Sequence, residues 1–327
     1  MNWPGLFANW LTPSTSQCQA YNGLVGTGIL IGTERGLWQS RGESFEPLDE
    51  FTARSVSALV RRGDEVWAIA EGHTLVQRTG GRWADRCSFG VHRATCLAPT
   101  ANGLLIGTAQ AHLFRIISNM LEPVESFETV DGRETWHTPW GDPADVRSIA
   151  VGLDSAIYVN VHVGGIVRSR DAGRSWTPTV DIEADVHQVI AHPTRAEVVL
   201  AAAYEGFGLS RDGGNSWQFI TGGLDAHYAR AVTVAGATVL LSASTGPQGR
   251  RSALYRKPLD CETKFVRCSD GLPWFDHNID TACVAAQGAL VVFGTRDGRI
   301  FRSLDEGTHW NLIAKGLPTI TAVMFDG

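Results

Sequence analysis

The residues here with useful chemistry are scattered along the chain, and three kinds of site can be built from them. Tyr204 directly precedes Glu205, so a carboxylate could take the phenol proton and leave a nucleophilic oxygen, with Asp145 or Asp185 serving as the acid. Arg147, Arg230 and Arg296 are guanidiniums that, brought to one point, would clamp a carboxylate through paired N–H donors. His162, His187, His227 and His92 offer imidazoles, the commonest transition-metal ligands, which Glu34 or Glu71 would complement around a divalent ion. No H-x-H, H-E-x-x-H or C-x-x-C pair sets two ligands side by side, so any site must be assembled by the fold.

A repeat supplies the elements that would assemble it. Short apolar segments recur as SVSALV from Ser55, ATCLAP from Ala94, DVRSIAV from Asp145, DVHQVIA from Asp185, ARAVTV from Ala229, DTACVAA from Asp280 and TITAVMF from Thr319. Their spacing averages about 44 residues, the size of a blade of four antiparallel strands. Second apolar runs ending in small residues (ILIGT, VWAIA, LLIGT, IYVNV, VVLAA, VLLSA, VVFGT) alternate with them. The last first-strand, TITAVMF, has no second run after it, while ILIGT at Ile29 has no first strand before it. The expectation is an all-β, seven-bladed β-propeller whose C-terminal strand becomes the innermost strand of blade one, so that the ring has no open edge. Residues 25–327 form this single domain; residues 1–24 are an uncharged N-terminal extension with Trp3, Phe7 and Trp10 at helical spacing.

Between strands three and four, three repeats share the pattern S-x-D-x-G-x-x-W: Ser169 to Trp176, Ser210 to Trp217 and Ser303 to Trp310. A short carboxylate accepts hydrogen bonds from its own turn, glycine supplies a positive φ, and the indole covers the hairpin. The pattern resembles the Asp-box, or BNR, repeat of the sialidase-like propellers, and the blade number is similar to that of the photosystem II assembly factor propeller. In such relatives the Asp-box lies opposite the ligand face, which implies that Asp171, Asp212 and Asp305 are structural. The resemblance also implies three kinds of function: glycoside hydrolysis of an anionic sugar, ligand binding, or a non-catalytic protein platform. The Arg-Ile-Pro motif of the six-bladed sialidases is absent.

The ligand face is then the rim bearing the strand two-to-three loops and the connections between blades. Eight of the ten histidines fall on it. Aligned at the mouth of the inner strands are Ser57, Thr95, Arg147, His187, Arg230, Ala282 and Thr321; two residues earlier come Ser55, Arg93, Asp145, Asp185, Tyr228, Asp280 and Thr319. Glu34, Glu71, His162, Tyr204 and Arg296 end the second strands. Two long connections, 126–145 and 266–279, bring Trp136, Trp140 and Trp274, aromatic faces for a sugar or another planar ligand. The plainer alternatives are a ring of solvated ion pairs, scattered surface histidines and aromatics packed on neighbouring blades.

Composition narrows the partners. A net charge of −6 with no basic run excludes nucleic acid, no run of eighteen apolar residues offers a membrane span, and six dispersed cysteines fit a reducing, cytoplasmic setting. The reading is a soluble propeller that binds a small ligand or a divalent transition metal at the centre of its upper rim, with glycan hydrolysis or a protein partner as alternatives.

Overall fold

The computed structural model describes residues 28–117, 120–181 and 183–327; the 1–24 extension lies outside them. Seven four-stranded antiparallel sheets form the blades of a propeller, with no α-helix among the described residues. The inner strands are Ile320–Asp326, Val56–Arg62, Ala94–Thr100, Val146–Val151, Val186–Ala191, Tyr228–Ala235 and Val284–Gln287, for blades one to seven. Each touches the next around a closed ring. Ile320–Asp326 pairs with Gly28–Thr33, so the two ends of the described chain join in blade one. The second strands are almost wholly buried, because both their faces lie against neighbouring blades.

Close approach of blades explains the small residues that end the second strands. A Cβ on Gly107 would stand 2.3 Å from Val146 Cγ1 and 2.7 Å from Cys96 Sγ; Gly32 and Gly294 meet Val56 and Ile320 in the same way. In each case the neighbour is the first residue of the next inner strand. Gly107→Ala is therefore expected to destabilise the protein by about 2 kcal/mol through overpacking, measured as a lower urea midpoint at unchanged slope.

The three S-x-D-x-G-x-x-W turns have one hydrogen-bond plan. Asp171 Oδ1 accepts from Ser169 Oγ and from the amides of Arg174 and Ser175, at 2.8, 3.0 and 2.9 Å. Asp212 repeats the set with Ser210, Asn215 and Ser216, and Asp305 repeats it with Ser303, Thr308 and His309. The serine oxygens in turn accept the amides of Gly173, Gly214 and Gly307. These carboxylates are spent inside their own turns, which lie between strands three and four, on the rim opposite the inter-blade connections.

Candidate functional site

Six of the seven inner strands break their pairing register at the same place. Thr321, Ser57, Thr95, Arg147, His187 and Arg230 are each the extra residue of a bulge, so residues on either side pair while they do not. A bulge re-aims the side chain it carries. In blade seven a 3-10 turn, Thr281–Cys283, takes the bulge's place. Five of the six bulge residues, together with Ala282, line a cavity of about 710 Å³ at the centre of the ring; His187 is packed behind its wall with 0% exposure.

These positions divide between building and binding. Thr321 and Thr95 donate to the carbonyls of Val56 and Val146, the first inner-strand residues of the following blades. His187 does the same through Nδ1, 2.5 Å from the carbonyl of Ala229. In blade four that duty passes to Asn160, whose Nδ2 lies 2.7 Å from the Val186 carbonyl. Arg147 is thereby free to face the cavity.

Around Arg147 the structure gathers three other candidate residues, His162, Asp185 and His187. His162, at the end of the second strand of blade four, is fixed by its amide on the Asp145 carbonyl. Its Nε2 is 2.8 Å from Arg147 Nη1 and 3.6 Å from Asp185 Oδ1. Asp185 Oδ1 is also 3.3 Å from His187 Nε2. Burial, with Arg147 alongside, pushes His162 down to about 3, and burial also lowers His187. Burial works against the Asp185 carboxylate, but His187, His162 and Arg147 outweigh it and hold the acid below its ordinary range.

The other rim arginines are differently placed. Arg230 and Arg296 both bind Asp280, at 2.7 and 3.0 Å. Arg230 is pulled down by burial, yet Asp280 and Tyr228 more than compensate and raise it. Arg147 has no carboxylate within ion-pair reach among the described residues, and burial next to Arg230 lowers it to about 10, still cationic at neutral pH. Asp280, aligned with Asp145 and Asp185 at the channel entrance, is thus the carboxylate that two of the rim arginines share. Arg93 also lines the cavity and likewise has no carboxylate partner among the described residues.

Of the remaining candidates, only Asp145 and Trp140 join the central cavity. Tyr204 is exposed and meets the rings of His227 and Tyr228 edge-on; neither Tyr204 nor Glu205 lines the central cavity, and Glu205 borders a separate pocket beside Trp217. Asp145 does line the cavity and accepts the Gln110 amide at 3.3 Å. His92 packs against His112, Glu71 binds Arg54, and Glu34 borders a second cavity of about 500 Å³ with Arg296 and Asp280. Among the aromatics, Trp140 stands at the cavity with 68% exposure and its ring 5.5 Å from His162. Trp136 is buried beside Phe127, and Trp274 is held between Arg251 and Arg267.

No protein-family model and no curated protein matches the chain. Solved structures do resemble it. The computationally designed Ika8 protein aligns at TM-score 0.59 and 15% identity, over 91% of this chain and 87% of its own. YCF48 bound to D1 peptide aligns at 0.58 and 13%, over 82% and 86%. An ancestral GH74 enzyme aligns at 0.58 and 16%, but this chain spans only 38% of it. Such identities establish a shared propeller fold and nothing finer. No helix among the described residues is long and apolar enough to cross a membrane.

Proposed function

We propose that this protein binds a small carboxylate-bearing ligand in its central cavity, with Arg147 as the anchor. The observation that carries the reading is the unequal state of the rim arginines: Arg230 and Arg296 are tied to Asp280, whereas Arg147 is half-buried in the cavity wall without a carboxylate. A desolvated guanidinium gains most from an anion that presents two oxygens to its fork of donors. The cavity, about 710 Å³, has the size of a small-molecule site, and Trp140 places an indole at its mouth. Arg93 adds a second cation on the same wall.

Three features favour binding over hydrolysis. Tyr204 and Glu205 do not line the cavity, Asp280 is occupied by two arginines, and Asp145 is left as the cavity acid without one. The turn hydrogen bonds around Asp171, Asp212 and Asp305 support the resemblance to the Asp-box propellers and keep those acids out of the chemistry.

Isothermal titration with N-acetylneuraminate and glucuronate, against glucose as a neutral control, tests the reading. The acid sugars are expected to bind and glucose not; Arg147→Met should weaken binding by about 2–3 kcal/mol, the worth of a charge-assisted pair. Equal binding of glucose, or acid-sugar binding untouched by the variant, overturns it. A protein partner on the same rim is the second reading. It rests on Trp140 and Tyr204, exposed by 68% and 53%, and on the peptide-bound YCF48 of similar fold. Binding of a partner that survives Arg147→Met and is lost in Trp140→Ala would select it.

A further inference from the structure

The hydrogen-bond arithmetic around Asp185 does not balance. The Nδ1 of His187 sits 2.5 Å from the Ala229 carbonyl, and a carbonyl only accepts, so Nδ1 carries the ring's hydrogen. Nε2 faces the Asp185 Oδ1 lone pairs across 3.3 Å without making a hydrogen bond to them. Both atoms are buried, and neither has a hydrogen-bond partner. His162 brings a third lone pair: its Nε2 accepts from Arg147 and therefore carries no proton itself. Three acceptors within 4.8 Å of one another, two of them unsatisfied, want a shared electrophile.

We propose that His162, Asp185 and His187 form a binding site for a divalent transition-metal ion. Nitrogen and oxygen ligands about 2.0–2.1 Å from a tetrahedral ion are separated from each other by about 3.3–3.5 Å. The two measured edges that meet at Asp185 Oδ1 are 3.3 and 3.6 Å. The donor set, two imidazoles and one carboxylate, suits zinc and its neighbours in the first transition row. The Ala229 carbonyl already fixes the His187 tautomer and ring orientation, as outer-shell partners of metal-binding histidines do. His162 lines the central cavity, so the ion's remaining positions open towards it.

Arg147 opposes the ion and makes the site conditional. Its Nη1 holds the His162 lone pair that the metal needs, and its charge repels a cation. Loading requires the guanidinium to swing into the cavity. This inference uses Arg147 only as a competitor, so it stands or falls independently of carboxylate binding.

Two features of the ring give a fold-neutral test. Thr95 and Thr321 occupy the bulge position of His187 and make the same bond to the next blade's carbonyl. His187→Thr therefore keeps the inter-blade bond and deletes the metal ligand; Asp185→Asn, nearly isosteric, is the second variant should threonine disturb the blade. The untagged protein, stripped with a chelator and checked by circular dichroism, would be titrated with Zn(II), and with Co(II) to read visible d–d absorption. Expected are one Zn(II) per chain, tetrahedral Co(II) bands, at least ~100-fold weaker binding in His187→Thr or Asp185→Asn, and at least ~10-fold tighter binding in Arg147→Met. The last result is one that a merely structural role for these residues does not produce. Absence of saturable Zn(II) binding in the folded wild type overturns the proposal; so does Zn(II) affinity unchanged in both ligand variants, which would place the ion on surface histidines such as His309.

Discussion

Replacing Asp326 by alanine is expected to lower the melting temperature by about 4–5 °C, corresponding to a loss of about 3 kcal/mol. Asp326 closes the last strand of the chain, and its side chain is only 6% exposed. Its Oδ1 accepts from Arg61 at 2.6 Å and also from Arg78; its Oδ2 accepts from Arg78 at 2.8 Å and from Gln39 at 3.1 Å. The arginines belong to blade two, so the carboxylate fastens the blade in which the first and last described strands pair to its neighbour. Truncation leaves two guanidiniums without their counter-charge, and this costs more than the pair itself is worth.

The same group sets an acid limit. Burial raises the Asp326 carboxyl, but Arg78 and Arg61 overcome that and hold it below its unfolded value of about 3.9. Its stabilisation is therefore complete above about pH 4 and is lost as pH falls through the folded-state value. Asp326→Asn keeps the shape and removes the charge. The variant should melt earlier than wild type at pH 7, and the gap should shrink below pH 4. Melting curves of equal midpoint at pH 7 would show that the clasp contributes nothing.

Asn160→Ala is the second large effect, at about 2–3 kcal/mol. Asn160 is completely buried, donating to the carbonyls of Val161 and Val186 while accepting from Ser148, which in turn accepts the Val189 amide at 2.8 Å. The substitution orphans the Val186 carbonyl and the Ser148 hydroxyl in a dry interface, where unmade hydrogen bonds carry their full desolvation cost. Urea unfolding at constant slope measures the loss; a midpoint shift below that of a typical surface substitution would contradict it. Val186 directly precedes the His187 bulge, so the variant should also weaken Zn(II) binding.

The repeat made the fold readable, because strand periodicity and turn residues report on local structure. Seven first strands and one unpaired second strand were enough to place the closure in blade one. The site was readable only as a set of positions. Arg147 and His187 were placed at the mouth of the inner strands, Asp185 two residues before it and His162 at the end of a second strand, but alternation of side chains along a strand cannot show a bulge, and the bulges decide which residues meet. Nor could sequence show that Arg230 and Arg296 share Asp280, since charge partners depend on distances between blades. The 126–145 connection is the sharpest case: Trp136 and Trp140 are four residues apart, yet one is 8% and the other 68% exposed. A loop has no period from which to read which side is inward.

The repeated bulge has a consequence for how such a protein changes over time. Because the extra residue does not take part in strand pairing, it can be exchanged without altering the alternation that builds the blade behind it. Ser57, Thr95, Arg147, His187, Arg230 and Thr321 are like teeth on one cog, each set in a different copy of the repeat. New specificity can be acquired one tooth at a time, provided that a neighbour such as Asn160 takes over the bond that the old tooth made. Blade four has that arrangement, with arginine facing the lumen and asparagine holding the bond to the next blade.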